Sequence, residues 1–195
     1  MANNDDGEGL RYETEEDGKV IRFLFDRGEL SQESCGEEKI SYARGHQPIS
    51  LSRSGKERNY FVQDEMGSTL FLLDEAHEIQ KTYRYDAFGN LLKETGDIQN
   101  RLTYTGQMYD GTTAQYYLRA RFYNPAIGRF LQEDTYRGDG LNLYAYCANN
   151  PVIYYDPSGH FKPSNECLGV AEEVFGSLPQ NIFSKDFQGY LSYGQ

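Results

Sequence analysis

The chain has 195 residues, a hydrophobic fraction of 38%, an aromatic fraction of 14% and a formal net charge of −11. This length suggests one domain, or one domain with appendages, and the aromatic content excludes a disordered chain. The acidity argues against nucleic-acid binding, which relies on Lys and Arg to neutralise phosphates, and against attachment to anionic membranes. No apolar run reaches membrane-spanning length, so no membrane insertion is expected.

Residues 1–59 form an acidic region with weak strand repeats. Residues 1–19 are polar and predict a frayed segment, and their acidic start is unlike a secretory signal peptide. Residues 20–25 (VIRFLF) are the first clear strand, and Asp17-Gly18 before them favours a hairpin turn. Glycines divide residues 26–59 into short pieces, which predicts short strands joined by turns.

Residues 60–99 contain a repeated unit. Asp64 and Asp86 each begin an Asp-x-x-Gly sequence followed by an apolar strand, and they lie 22 residues apart. Such repetition indicates an array of stacked strand units, because one unit cannot bury its own apolar face. We interpret these aspartates as turn residues, since calcium would need several oxygens converging in one short loop.

The segment from Asn100 to His160 is an aromatic-rich β meander. It holds 10 of the 17 tyrosines, and dense turn signals such as Asn124-Pro125 and Asn150-Pro151 separate its short strands. The tyrosines have two interpretations. Period-two spacing at residues 83 and 85 and at residues 144 and 146 favours cross-strand pairs within a sheet. The alternative is a platform on which sugars or peptides stack.

Several motifs of this segment resemble a known family. They are Tyr-Thr-Gly-Gln at 104–107, Tyr-Tyr-Leu-Arg-Ala-Arg-Phe-Tyr-Asn-Pro at 116–125, Gly-Arg-Phe-Leu at 128–131, Asn-Leu-Tyr-Ala-Tyr at 142–146, Asn-Asn-Pro at 149–151 and Asp-Pro-Ser-Gly at 156–159. In this order they resemble the Rhs-repeat-associated core domain. Upstream, residues 83–90 (YRYDAFGN) resemble a YD (tyrosine-aspartate) repeat. The resemblance covers about residues 60–160 and implies the end of a β-cocoon that encloses a polymorphic toxin of bacterial competition.

The pattern changes after Gly159. Apolar residues at 167, 171, 174 and 178 have helical spacing, and Pro179 follows them. We therefore predict a mainly β fold of consecutive antiparallel hairpins forming one curved sheet, with a short C-terminal helix. The predicted regions are an acidic region at 1–59, YD-repeat strands at 60–99, the Rhs-associated core at 100–160 and a variable C-terminal segment at 161–195.

Motifs for turnover chemistry are not apparent. The cysteines at 35, 147 and 167 and the histidines at 46, 77 and 160 lack the spacing of metal ligands, and no glycine loop is suited to cradle phosphates. We expect no metal, no cofactor and no turnover enzyme. The activity that stays open is a single self-cleavage of aspartyl-protease type.

The resemblance implies where that cleavage would occur. Proteins of the Rhs family cut their own chain just after the closing Asp-Pro-x-Gly motif, using one aspartate of the motif and one about two dozen residues earlier. Asp156 matches the motif aspartate, and Asp134 is the nearest match to its partner, with Glu133 as a rival. The implied scissile bond joins His160 to Phe161. Two carboxylates that share a proton can serve as base and acid.

This chain departs from the family pattern at two positions. Thr135 stands where the family usually has Pro, and His160 stands where it usually has Leu. The structural alternative is that Asp156 only stabilises the Asp-Pro-Ser-Gly turn and that Asp134 only ends a strand.

The resemblance also implies a function. The chain would be the terminal shell segment of an Rhs/YD-repeat toxin that encloses and presents a variable C-terminal polypeptide, secreted or at the cell surface by a route not encoded in this chain. Its partners would be that polypeptide and neighbouring shell repeats, and a cognate immunity protein or a secretion-system component is compatible with the family. A different class stays open: a cell-surface carbohydrate- or protein-binding module that uses the tyrosine-rich strands.

Overall fold

The computed structural model describes residues 2–7, 9–16, 18–54, 57–135 and 142–160. Ten strands form one sheet in which each strand pairs with the next along the chain, and every pairing is antiparallel. They are β1 (Ala2–Asp5), β2 (Arg11–Glu16), β3 (Lys19–Asp26), β4 (Glu29–Cys35), β5 (Glu38–Arg44), β6 (Pro48–Arg53), β7 (Arg58–Gln63), β8 (Thr69–Leu73), β9 (Ile79–Tyr85) and β10 (Leu91–Thr95). The predicted array of consecutive antiparallel hairpins is confirmed. The predicted C-terminal helix lies outside the described residues.

The last three connections of this sheet use the same turn. In each, an aspartate side chain accepts the backbone N–H groups two and four residues ahead, at 2.7 to 3.0 Å; these aspartates are Asp64, Asp74 and Asp86. The residue three positions after each aspartate has a positive φ. Gly67 and Gly89 adopt a positive φ at little cost, whereas in His77 the Cβ makes this conformation sterically unfavourable. The turn role of Asp64 and Asp86 is confirmed. The turn at Asp74 could not be found from the Asp-x-x-Gly pattern, because His77 stands where the other two turns have glycine.

The core lies on one face of this sheet. Along β3 and β5, buried and exposed side chains alternate as expected for a half-buried strand. The buried cluster contains Ile21, Phe23, Leu30, Ile40, Tyr42, Leu51 and Leu72 from the sheet, with Leu102, Met108 and Tyr117 from the segment that follows it. Each such side chain contributes roughly 1.5–3 kcal/mol when fully buried. Side chains from residues 102–117 therefore pack against the buried face of the ten-stranded sheet and complete its core.

The frayed segment predicted for residues 1–19 is wrong, because β1 and β2 pair with each other and β2 pairs with β3. The physical reason is Arg11, whose side chain is fully buried. Its guanidinium carbon lies 5.0 Å from the ring centre of Phe23 and 4.8 Å from that of Tyr117, and its Nη1 lies 3.4 Å from the Asp110 carboxylate. These partners are distant in the sequence, so the local composition does not reveal them.

A second, four-stranded antiparallel sheet contains the aromatic motifs. Its strands are β11 (Met108–Asp110), β12 (Gln115–Tyr117), β13 (Phe122–Asn124) and β14 (Arg129–Phe130), paired in chain order. The register places Tyr109 opposite Tyr116, Tyr116 opposite Tyr123, and Tyr123 opposite Phe130. These four side chains, here called the aromatic row, have successive ring centres 5.1, 6.2 and 6.0 Å apart. Tyrosines therefore pair across strands, but at other positions than the spacing predicted: Tyr83 and Tyr85 lie opposite Glu94 and Leu91, and Tyr144 and Tyr146 lie outside the described strands.

The turn at Asp86 is held by tyrosine hydroxyls. Each hydroxyl donates to one of three successive backbone carbonyls: Tyr104 to Ala87 at 2.8 Å, Tyr123 to Phe88 at 2.7 Å and Tyr116 to Gly89 at 2.8 Å. Gly89 has a φ of +86°, and a Cβ there would lie 2.5 Å from the Tyr104 ring. The YD-repeat turn is therefore the point at which the first sheet and the aromatic row are joined.

Residues 142–160 contain little regular structure but are hydrogen-bonded to β14 and to the chain that follows it. Phe130 N–H donates to the Tyr144 carbonyl, and Asp134 N–H donates to the Leu143 carbonyl, both at 3.0 Å. A short 3₁₀ turn, Cys147–Asn149, interrupts the segment. These contacts bring Asp134 close to the end of the described chain. The domain divisions predicted after residues 59, 99 and 160 stay predictions.

Candidate functional site

Arg121 lies at the centre of the candidate site, just before β13. Its buried guanidinium lies over the Phe130 ring, with 3.7 Å from its central carbon to the ring centre. Nη1 donates to the Leu143 carbonyl at 3.0 Å, and Nε donates to the Gly159 carbonyl. A guanidinium presents five N–H donors in a fixed plane, so one side chain can bind several oxygens at once.

Asp134 approaches Arg121 from the segment after β14. Its Oδ2 lies 2.6 Å from Nη2 of Arg121, and its Oδ1 lies 2.9 Å from Nδ1 of His160. Asp134 is buried, whereas the neighbouring Glu133 is exposed. The structure therefore places Asp134 rather than Glu133 in the site, and both oxygens of its carboxylate contact nitrogen atoms.

Asp156 approaches the same guanidinium from the closing Asp-Pro-Ser-Gly motif. Its Oδ1 accepts the N–H groups of Ser158 and Gly159 at 3.0 and 2.8 Å. Its Oδ2 lies 3.9 Å from Nη2 of Arg121, beyond hydrogen-bond distance. Burial raises the pKa of Asp156, although the two N–H groups and Arg121 act in the opposite direction. Asp156 thus stabilises the turn and also presents a second carboxyl group to Arg121.

Gly159 allows the closing motif to pack against the connection between β12 and β13. It has a φ of +78°, and a Cβ there would lie 2.5 Å from the Leu118 carbonyl oxygen. The Ser158 carbonyl accepts the Ala120 N–H at 3.3 Å. Only glycine fits this conformation and this contact. His160 follows directly and lies beside Asp134, whereas Phe161 lies outside the described residues.

The two carboxyl groups have different environments. Arg121 and His160 contact the Asp134 carboxyl group, whereas burial raises the pKa of Asp156. Acid–base hydrolysis requires one carboxyl group that accepts a proton and one that donates a proton, so a difference in environment between two carboxyl groups is relevant to it. Among the described residues, no three His, Cys, Asp or Glu side chains are grouped to hold a metal ion.

The sequence alone indicated Asp134, Asp156 and His160, and the structure brings all three together. The sequence did not indicate Arg121. The available signal was the Leu-Arg-Ala-Arg run, but its other arginine, Arg119, pairs instead with Glu29 of β4. Spacing cannot show which of two nearby arginines turns toward the closing motif.

Comparison with known proteins identifies the class of this fold. Residues 14–152 match the family described as Teneurin YD-shell. The tRNA nuclease WapA of Bacillus subtilis is 34% identical over 169 residues, which cover 80% of this chain and 7% of that protein. Toxin protein Tse5 of Pseudomonas aeruginosa is 32% identical over 105 residues, which cover 53% of this chain and 8% of that protein. The crystal structure of TcdB2-TccC3 aligns with a TM-score of 0.62 at 24% identity, covering 80% of this chain and 9% of that one.

The fold is thus that of a hairpin shell, and the chain belongs to the YD-shell family. It is a shell segment of the type found in Rhs/YD toxins. The chain spans less than a tenth of the length of these relatives, between 7% and 9%.

Proposed function

We propose that this chain forms the closing end of an Rhs/YD-type shell, which encloses and presents a C-terminal polypeptide and cuts its own chain between His160 and Phe161. The observation that carries the proposal is the meeting of Asp134 and Asp156 at Arg121. His160, the last residue before the implied cut, contacts one of these two carboxylates.

The open edges of the first sheet support the shell role. In the described sheet, β1 and β10 each pair with one strand only. Unpaired strand edges bind further strands, so neighbouring shell repeats are the natural partners at these edges. The relatives named as a toxin and a nuclease support a toxic C-terminal polypeptide as the second partner.

Other partners and the location follow from the same proposal. A cognate immunity protein or a secretion-system component would act on the whole toxin, which would be secreted or displayed at the cell surface. In the part of the chain that the structure describes, no helix is long and apolar enough to cross a membrane.

The carboxyl groups would perform one hydrolysis. Water adds to the carbonyl carbon of His160 and gives a proton to the Asp134 carboxylate. The bond from that carbon to the Phe161 nitrogen breaks, and the proton of Asp156 passes to the departing nitrogen. The products are a chain that ends in the His160 carboxyl group and a chain that begins with the Phe161 amine. Arg121 holds Asp134 and the Gly159 carbonyl in place for this reaction.

The binding-module alternative loses its support from the tyrosines. The rings of Tyr116 and Tyr123 are buried, and their hydroxyls donate to backbone carbonyls within the chain. A stacking platform needs exposed faces. No feature of the aromatic row favours this second function.

Intact-mass spectrometry of the purified chain tests the self-cleavage. At neutral pH we expect two species, one ending at His160 and one beginning at Phe161. Asp134→Asn and Asp156→Asn should each leave the chain whole, because either change removes one of the two carboxyl groups. Asp74→Asn alters the aspartate of the turn between β8 and β9, which binds the N–H groups of Ala76 and Glu78, and should leave cleavage intact.

Two results would decide against the proposal. Asp156-Pro157 is an acid-labile bond, so a break there, which differs in mass by residues 157–160, would indicate chemical hydrolysis rather than self-cleavage. A wild-type chain that stays whole for days at neutral pH would leave Asp156 as a turn residue only.

A further inference from the structure

His160 makes a side-chain contact that the proposed chemistry does not itself require. Its Nδ1 lies 2.9 Å from Oδ1 of Asp134, and its backbone N–H donates to the Ser158 hydroxyl at 3.3 Å. The imidazole is 36% exposed, so it reaches into the site from the surface.

We propose that His160 is a positioning residue for self-cleavage, whose Nδ1–H binds the Asp134 carboxylate and so places the peptide bond after it beside both carboxyl groups. This inference rests on the proposed self-cleavage. In this inference, the hydrogen bond made by His160 helps to determine which peptide bond is cut.

The short side chain makes this contact effective. Nδ1 is only a few bonds from the Cα of His160, so binding Nδ1 also restricts the carbonyl group that water attacks. The Gly159 carbonyl is held by Arg121 on the preceding peptide. Two attachments on successive residues thus orient the peptide, and orientation of reacting groups is a large part of catalysis.

Two amide variants test whether cleavage depends on the position of the N–H donor at residue 160 or only on the size and polarity of the side chain. His160→Asn places an amide nitrogen at the position of Nδ1, whereas His160→Gln places it farther out, near the position of Nε2. We expect His160→Asn to cleave within about threefold of the wild-type rate. We expect His160→Gln and His160→Ala to be slower by about tenfold or more, as for the loss of one oriented charge-assisted hydrogen bond. Rates would be read by intact mass after a short pulse of cell-free synthesis of the full chain.

A spectroscopic measurement tests the contact without cleavage. The full chain carrying Asp156→Asn should stay whole, and imidazole ¹⁵N shifts at a pH where histidine is neutral report which ring nitrogen bears the proton. We expect the proton on Nδ1 of His160, and we expect Asp134→Ala to remove this preference. His46 and His77 serve as references in the same spectrum.

The outcomes separate the two proposals. A wild-type chain that does not cleave overturns both. Cleavage at equal rates in His160→Asn and His160→Gln, or a proton on Nε2 of His160 in the spectrum, overturns the positioning role alone and leaves self-cleavage standing.

Discussion

Arg11 and Asp110 are both fully buried, and they pair across the two sheets. Burial lowers the pKa of the Arg11 guanidinium, and the nearby Asp110 carboxylate acts against that shift. Desolvating both charges is expensive, so the pair is not a large net source of stability. Its importance is that removing one partner leaves the other charge buried without compensation.

Arg11→Met therefore tests how β2 is held. Methionine retains most of the apolar volume, but the Asp110 carboxylate loses its counter-charge, and we expect a loss of roughly 3–5 kcal/mol in the free energy of unfolding. Arg22→Met is the control, because the Arg22 side chain is 70% exposed and its pair with Glu13 should be worth less than about 1 kcal/mol. Urea unfolding measures both changes. Equal losses would show that Arg11 is no more important than a surface charge.

The turn after β9 illustrates how elements are joined in this fold. Asp86 organises the turn from within, since its side chain accepts the N–H groups of Phe88 and Asn90. Burial acts to raise the pKa of Asp86, but hydrogen bonds from Asn90 and Phe88 outweigh it and lower the pKa. The tyrosine hydroxyls then bind the outward carbonyls of the same turn. One turn thus connects the hairpin array to the aromatic row.

Tyr116→Phe and Tyr123→Phe should weaken this connection. Each change leaves one carbonyl of the turn without its donor while keeping the ring, and we expect a loss of roughly 1–2 kcal/mol from each. Tyr144→Phe is the matched control, because the Tyr144 ring is 41% exposed and its hydroxyl can be hydrated. Thermal or urea unfolding measures the differences. Indistinguishable stabilities in all three variants would mean that ring packing alone joins the elements.

At the scale of the molecule, the first sheet is an open sheet with unpaired edge strands. Within the described strands it has two edges, β1 and β10, and Leu92 on β10 is 64% exposed. An exposed edge with an apolar side chain favours pairing with another chain. The isolated protein should therefore associate as its concentration rises, unless neighbouring shell repeats cover the edge.

Leu92→Lys should suppress this association, because a lysine on an edge strand opposes edge-to-edge pairing. Ile127→Lys is the control, since Ile127 is similarly exposed, at 58%, but lies in the turn between β13 and β14. Light scattering over a wide concentration range measures both variants. A wild-type chain that stays monomeric at every concentration would contradict the open-edge interpretation.

Much of the architecture was predictable because it depends on local chemistry. Asp86 and Gly89 specify a turn within a few residues, and the apolar run at 20–25 predicts the strand found as β3. The resemblance of the closing motif also placed Asp134 and Asp156 in one candidate site. These features need little information from distant parts of the chain.

Tertiary structure alone decided which charges are buried and what they contact. In the sequence, Arg11 belongs to a segment predicted to be frayed, and only the structure shows that it pairs with Asp110. The choice between Asp134 and Glu133 likewise depends on which side chain turns toward Arg121. Charges are excluded from an interior unless a partner is present, and here those partners come from distant strands. The sequence determined the alternation of strands and turns from β3 onward, apart from the turn at Asp74, whereas the packing of the two sheets determined the site, because pairing between buried charges depends on distance in space.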